Sequence, residues 1–151
     1  MKTLIELFES SVEKFSDYPL MWEKVNGKYI SYSYRQISEE VYNFGAGLIS
    51  IGIKKGDRIG LIAEGRTDWL VGELGMFYAG AVNIPLSVKL DAGSEIAFRL
   101  NHSGARMVVA SWTQVEKIEA ILRDVPDVEK IIYLDKIDTP MEHRISFQSI
   151  K

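Results

Sequence analysis

Four short apolar runs that alternate with helix-like segments constrain this chain more than any other feature. In two of the runs, all residues after the first are without a polar side chain, namely residues 59–63 and 107–110. A strand that is apolar on both faces needs cover on both sides, which a parallel sheet between two helical layers provides. The four runs are residues 58–63, 81–86, 106–110 and 130–134. The alternation predicts an α/β fold with a doubly wound, mostly parallel sheet of about four strands and flanking helices.

The segments between the runs show helical spacing, and each opens with a residue that can cap a helix. They are residues 67–78, 94–102 and 113–123, with Thr67, Ser94 and Thr113 as the predicted caps.

The first third of the chain predicts a helix, a β-hairpin and a second helix. Thr3 and Glu6 have the spacing of a capping box, as do Ser33 and Gln36. Between the two helices, Asn26-Gly27 separates two strand-like runs and suits the positive φ values of a type I′ turn. Gly52 is the predicted left-handed stop of the second helix.

The domain organisation follows from these elements. Residues 1–134 are predicted to form an N-terminal α/β subdomain, and residues 135–151 a linker and the start of a truncated next element. Asp138-Thr139-Pro140 signals a turn, and Ser146 can cap a helix just before the sequence ends.

Composition excludes several classes of function. The 151 residues contain no cysteine, so disulfide frameworks and thiolate sites are excluded. A net charge of −3 gives no indication of nucleic-acid binding. The N-terminus lacks the apolar block of a secretory signal, and no apolar stretch approaches the length of a spanning helix. The expected location is cytoplasmic, with peripheral association at the inner face of a membrane left open.

Several motifs could be read as binding sites, but a structural role explains each of them better. Gly45-Ala46-Gly47 lies inside a predicted helix and not behind a strand, so packing explains it better than dinucleotide binding. Residues 54–58, Lys-Lys-Gly-Asp-Arg, favour a solvated turn over a phosphate site. Residues 65–69 follow the first parallel strand, where a helix start could hold an anion, but a plain capped helix is favoured. His102 and His143 have no metal-ligand spacing, and no metal site is expected.

An ordered set of short motifs resembles the N-terminal part of the AMP-forming acyl-CoA synthetases. The set covers about residues 3–134, and two of its pieces look most like the long-chain fatty acid branch: residues 27–32 and 85–90. The matching pieces are Ser31-Tyr32-Ser33-Tyr34-Arg35-Gln36-Ile37, Gly45-Ala46-Gly47-Leu48, Gly52-Ile53-Lys54-Lys55-Gly56-Asp57-Arg58-Ile59, Trp69, Tyr78-Ala79-Gly80-Ala81-Val82-Asn83-Ile84-Pro85-Leu86 and His102-Ser103-Gly104-Ala105-Arg106.

The resemblance implies a ligase that activates a fatty acid with ATP, releases pyrophosphate and passes the acyl group from its adenylate to the thiol of CoA. Mg²⁺ is the metal it implies. The family's Ser/Thr/Gly-rich loop ending in lysine, its Tyr-Gly-x-Thr-Glu and Thr-Gly-Asp segments and its C-terminal lid with the catalytic lysine do not occur in this sequence. We therefore expect a structural part of the ligase that has no catalytic residue and holds no ATP, CoA or Mg²⁺ by itself.

One loop is placed by the resemblance near the CoA side of the complete enzyme. It consists of Ser87, Val88 and Lys89, directly after a predicted strand. Arginines by which relatives hold the CoA phosphates are not matched, because Glu116 and Glu119 stand in that region.

Two alternatives stay open. One is a stand-alone flavodoxin-like regulatory domain that binds a nucleotide or a partner at the strand ends near Gly65 and Ser87. The other is an obligate interaction fragment with an exposed apolar face. A homo-oligomer also stays open.

Overall fold

The computed structural model describes residues 3–135 and 144–151. Its helices are α1 (Leu4–Phe15), α2 (Tyr34–Ser50), α3 (Thr67–Tyr78), a π-helical turn (Ala92–Ile96), α4 (Ala97–Ser103), α5 (Trp112–Ala120) and α6 (Phe147–Ile150). Its strands are β1 (Pro19–Val25), β2 (Lys28–Ser33), β3 (Arg58–Ile62), β4 (Val82–Pro85), β5 (Ala105–Ala110), β6 (Lys130–Tyr133) and β7 (Arg144–Ser146). A helix, a hairpin and a second helix precede a parallel sheet with helices on it, which confirms the predicted fold class.

The local signals of the first third are confirmed. The Thr3 hydroxyl accepts a hydrogen bond from the Glu6 N–H at 3.1 Å, while the Glu6 carboxylate accepts one from the Thr3 N–H at 2.7 Å. Ser33 and Gln36 form the same reciprocal pair at the start of α2. At the hairpin turn, Asn26 has a φ of 49° and the glycine that follows has a φ of 81°.

The sheet has the order β4-β3-β5-β6-β7, and every neighbouring pair is parallel. It contains one strand more than the four predicted, because β7 pairs with β6. The helix expected after Ser146 is present as α6, although the Ser146 side chain makes no capping hydrogen bond. The turn predicted at Asp138-Thr139-Pro140 lies outside the described residues, and the domain boundary at residue 134 stays a prediction.

The two core layers explain why β3 and β5 carry apolar residues at consecutive positions. Neighbouring residues of a strand point to opposite faces of the sheet. Leu61 packs in the layer that contains Phe44 of α2, whereas Ile62 packs in the layer that contains Leu100 of α4. All four side chains are at most 1% exposed. The helices therefore cover both faces, as the sequence predicts.

Glycines allow α2 to approach its neighbours closely. A Cβ atom on Gly45 would lie 3.0 Å from the carbonyl oxygen of Gly75 in α3. A Cβ atom on Gly47 would lie only 1.5 Å from the carbonyl oxygen of Ile150 in α6. Packing of helices, and not a dinucleotide loop, accounts for the Gly45-Ala46-Gly47 motif, as predicted.

The predicted caps of the three later helices are wrong. Arg66 precedes α3 and makes no capping hydrogen bond, while the Thr67 hydroxyl is buried and has no partner among the described residues. The Asp91 carboxylate accepts the N–H of Ser94, so the helix before β5 begins two residues early, as a π-helical turn at Ala92. The second of these helices does have a local side-chain cap, but Asp91 provides it in place of Ser94.

The start of α5 also differs from the prediction. Ser111 holds the cap position, and its side chain makes no capping hydrogen bond. Its hydroxyl and that of Thr113 instead donate to a carboxylate outside the helix.

Candidate functional site

The carboxyl ends of the parallel strands meet at one edge of the sheet. The strand that follows β3 in the chain lies on one side of it and β5 on the other, so the connecting helices leave this point in different directions. Open α/β sheets bind ligands at such a switch point. Residues that follow the strands at this edge are Glu64, Ser87, Ser111 and Asp135. This edge is therefore the candidate functional site.

The Glu64 carboxylate, on an exposed residue after β3, is held by the start of α5 after β5. It accepts hydrogen bonds from the hydroxyls of Ser111 and Thr113, both at 2.6 Å, and from the side-chain amide of Gln114 at 2.8 Å. These hydrogen bonds, those from Ser111 and Thr113 above all, lower the pKa of Glu64 to about 2. The group is therefore ionised near neutral pH and forms a fixed negative charge at the N-terminus of α5.

A second acidic group lies beside it and is tied to Arg66. The Arg66 guanidinium donates to Asp135 at 2.8 Å and to Asp68 at 2.9 Å. The other oxygen of Asp135 accepts the N–H of Trp112, the first residue of α5, at 2.7 Å. Burial raises the pKa of Asp68 even though Arg66 opposes this effect. Arg66 is thus committed to two carboxylates of the protein.

These contacts distinguish between the two interpretations of residues 65–69, an anion site and the start of a helix. The Arg66 guanidinium pairs with Asp68 and Asp135, and the Glu64 carboxylate lies at the start of α5, so Arg66 is already neutralised by carboxylates of the protein and is not free to hold an incoming phosphate. The segment serves as the start of a helix, which is the interpretation that the sequence favours.

The loop of Ser87, Val88 and Lys89 forms a tight turn after β4. The Lys89 N–H donates to the Ser87 hydroxyl at 3.3 Å, and the Leu90 N–H donates to the Ser87 carbonyl at 3.1 Å. The Val88 side chain packs on the core layer under α4 and α5, while Lys89 is exposed. Within residues 3–135 and 144–151, the Lys89 ammonium makes no hydrogen bond or ion pair.

Lys117 supports this loop and is not indicated by the sequence. Its ammonium donates to the carbonyl of Val88 at 2.7 Å and lies 3.5 Å from that of Leu90. Lys117 is on α5, one turn after the residues that hold Glu64. Helix α5 therefore holds both Glu64 and the Ser87 loop, a link that only the tertiary structure reveals.

The other charged motif lies at the opposite edge of the sheet. Residues 54–58 form a turn in which the Lys54 N–H donates to the Asp57 carboxylate at 2.8 Å, and Gly56 has a φ of 88°. Arg106 pairs with Asp57 at 2.5 Å. The interpretation of this segment as a turn into β3 is confirmed.

The histidines do not form a site in the part that the structure describes. His102 stacks on Phe98, with ring centroids 5.5 Å apart, in the last turn of α4. His143 lies outside the described residues. Within those residues, no group of three histidine, cysteine or acidic side chains could hold a metal ion. No helix there has the length and apolar character needed to cross a bilayer.

Two cavities adjoin Arg66 and Thr67, one of about 360 Å³ beside β1 and one of about 630 Å³ between the hairpin, α2 and α3. Neither is lined by Ser87, Val88 or Lys89.

Comparison with known proteins agrees with this architecture and identifies the family of the chain. Residues 8–149 match the family described as "AMP-binding enzyme". The chain belongs to the AMP-binding enzyme family. This confirms the resemblance to AMP-forming acyl-CoA synthetases that the motifs predict.

Relatives of the chain include proteins named as long-chain acyl-CoA ligases. Long chain acyl-CoA synthetase 8 of Arabidopsis thaliana is 26% identical over 89% of the chain, which is 21% of the relative. Long-chain-fatty-acid--CoA ligase 5 of Rattus norvegicus is 28% identical over 95% of the chain and 22% of the relative. The chain thus spans about a fifth of the length of these relatives.

Solved structures confirm the fold. Coronafacic acid ligase from Pectobacterium brasiliense superposes with a TM-score of 0.86 at 22% identity, over 97% of this chain and 28% of that one. A putative long-chain-fatty-acid CoA ligase from Rhodopseudomonas palustris gives a TM-score of 0.83 at 20% identity, over 99% of this chain and 36% of that one.

Proposed function

We propose that this chain is the N-terminal scaffold of a ligase that activates a long-chain fatty acid with ATP and transfers it to CoA. The observation that carries the proposal is the family match over residues 8–149, together with relatives named as long-chain acyl-CoA ligases. ATP, CoA and Mg²⁺ belong to the complete enzyme, as does the fatty acid substrate.

The role of this segment is structural. Phosphoryl chemistry needs backbone or hydroxyl donors around the phosphates and cations against the developing charge. At the candidate site the donors of α5 already hold Glu64, and Arg66 already holds two carboxylates. The sequence also lacks the family's phosphate loop and catalytic lysine. Residues 1–151 therefore supply one sheet of the large domain.

Exchange of pyrophosphate with ATP tests this proposal. We expect no exchange above background by the purified 151-residue chain with several fatty acids, and clear exchange by a ligase chain that carries this segment together with the missing motifs. Turnover by the 151 residues would contradict the structural role. Inactivity of the longer chain with every fatty acid would contradict the substrate class.

The loop of Ser87, Val88 and Lys89 is proposed to lie near the CoA phosphates in the complete enzyme. Support comes from its position after β4 and from the exposed ammonium of Lys89. In a ligase that carries this segment, Lys89→Ala is expected to raise the KM for CoA about threefold at low salt and less at high salt, because salt screens an exposed charge. Lys14→Ala on α1 is the matched control. An unchanged KM at every salt concentration would remove the loop from the CoA site.

A stand-alone flavodoxin-like regulator remains the second candidate. The strand order β4-β3-β5-β6-β7 is the flavodoxin-like order, which favours it at the level of fold alone. The carboxylates at the switch point disfavour an anionic nucleotide there. Absence of binding of ATP and of FMN to the chain in calorimetry would exclude the nucleotide-binding form of this candidate.

The remaining features are proposals of the same kind. They are a subdomain of residues 1–134 followed by a linker and next element in 135–151, a cytoplasmic location, peripheral association with a membrane and self-association into homo-oligomers.

A further inference from the structure

Lys117 on α5 places an ammonium against the backbone of the loop that follows β4. The ammonium donates to the carbonyl of Val88 at 2.7 Å and lies 3.5 Å from the carbonyl of Leu90. These two carbonyls flank Lys89, the exposed cation of the loop. A hydrogen bond from a charged donor contributes more than one between neutral groups. Lys117 therefore holds the backbone on both sides of Lys89.

The other hydrogen bonds of the loop tie it only to itself. The Lys89 N–H lies 3.3 Å from the Ser87 hydroxyl, which is long for such a bond, and the Leu90 N–H donates to the Ser87 carbonyl at 3.1 Å. The Val88 side chain adds an apolar contact with the core layer. In the described part of the chain, the hydrogen bonds that join this loop to another element are those from Lys117.

Helix α5 is itself fixed to the sheet on both sides of Lys117. At its start, the hydroxyl of Thr113 and the side-chain amide of Gln114 donate to the Glu64 carboxylate after β3. Directly after Lys117, Ile118 is fully buried in the core layer under the loop. The ammonium therefore reaches the loop from a firmly held part of the fold.

We propose that Lys117 is a positioning residue for CoA. It holds the carbonyls that flank Lys89 and so fixes the place at which the Lys89 ammonium meets the CoA phosphates. A loop that is already ordered loses less conformational entropy when its ligand binds. The inference rests on the proposed function, which puts this loop near CoA, and adds the residue that sets the position of the loop. Lys117 contacts backbone and not substrate, so it is not a catalytic residue.

Hydrogen exchange of the 151-residue chain tests the contact without any ligase activity. Lys117→Met keeps much of the apolar stem and removes the ammonium. We expect the amides of Lys89 and Leu90 to exchange about tenfold faster, because the lost hydrogen bonds come from a charged donor. The amides of β5 should keep their rates. Lys117→Arg retains the charge and the N–H donors and should restore most of the protection.

Lys14→Met on α1 is the matched control for the exchange experiment. Lys14 is exposed and lies outside the loop and α5, so its replacement should leave the rates of Lys89 and Leu90 unchanged. Lys117→Gln, a shorter and uncharged side chain, repeats the test should the methionine variant fail to fold. Exchange rates in the loop that do not respond to the loss of the Lys117 ammonium would overturn the proposal.

Kinetics of a ligase that carries this segment together with the missing motifs test the consequence for CoA. Lys117→Met is expected to raise the KM for CoA about threefold at low salt, as Lys89→Ala does, and to leave kcat at saturating CoA unchanged. Exchange of pyrophosphate with ATP needs no CoA, so its rate should stay the same. Adding Lys117→Met to Lys89→Ala should raise the KM no further, because both substitutions act through one ammonium.

The outcomes separate this inference from the proposed function. Slower pyrophosphate exchange in Lys117→Met would indicate a general structural defect, and additive effects of the two substitutions on the KM would indicate direct contact of Lys117 with CoA. Either result would overturn the positioning role. An unchanged KM in Lys89→Ala would instead contradict the placement of the loop at CoA, while the exchange rates of the 151-residue chain still decide whether Lys117 holds the loop.

Discussion

Gly75→Ala is expected to lower the free energy of unfolding by about 3 kcal/mol, at the upper end of the usual range for overpacking a core. The new Cβ atom would lie 2.6 Å from the Phe44 ring and 3.2 Å from the carbonyl oxygen of Val41. The Phe44 ring cannot easily move away, because it is fully buried and packs against Phe147 with ring centroids 4.3 Å apart. Helices α2 and α3 would have to separate along their contact.

Gly72→Ala in the same helix is the matched control. A Cβ atom at this position meets Leu61 at 3.8 Å, an ordinary van der Waals distance. Alanine should instead raise the free energy of unfolding by about 0.5–1 kcal/mol, because glycine is a poor helix former. Urea unfolding of the two variants measures both effects, provided that the dependence of the free energy of unfolding on urea concentration is unchanged. Similar midpoints for both variants would refute the close contact between α2 and α3.

Arg66→Met should destabilise the protein by about 2 kcal/mol near pH 7. Methionine preserves much of the side-chain stem but leaves Asp68 and Asp135 without their cation. The expected loss is below that of a fully buried pair, because the three side chains remain 22–32% exposed to solvent. Arg35→Met removes a pair that is 58% and 84% exposed, and this control should cost less than about 0.5 kcal/mol.

The loss in Arg66→Met should depend on pH. Burial already raises the pKa of Asp68, and without Arg66 that pKa rises further. The folded protein then binds a proton more tightly than the unfolded chain, so the deficit is largest above the folded pKa and shrinks as the pH falls through it. Urea unfolding near pH 7 and at about pH 5 measures this trend.

A double variant tests the cause directly. Arg66→Met/Asp68→Asn removes the unpaired charge and should recover much of the lost stability. A double variant no more stable than Arg66→Met would show that Asp68 is not the source of the loss.

Much of the fold could be predicted because its signals are local. The two capping boxes and Asn26-Gly27 each depend on residues within four positions of one another. The runs of the parallel strands reveal burial on both faces. Strand β7 was not predicted, because its three residues, Arg144–Ser146, are too few to show the alternation of apolar and polar residues that is typical of a strand.

The candidate site was less accessible to sequence reasoning. The hydrogen bond from Ser111 to Glu64 joins residues 47 positions apart, and that from Lys117 to Val88 joins residues 29 apart. No motif in the neighbouring sequence indicates that these residues are partners. The same effect explains the wrong cap at α5, where a distant carboxylate takes the hydroxyls that a sequence pattern assigns to the helix.

The strand order also sets the sequence of events in folding. The hairpin and the helices around it can form from neighbouring residues, so they belong to the fast, local class of events. Strand β3 lies inside the sheet, yet its partner β5 follows only after α3, β4 and α4. During synthesis, one backbone edge of β3 therefore stays unpaired until β5 leaves the ribosome. An unpaired strand edge is a site at which another chain can pair, so this interval exposes the nascent chain to aggregation.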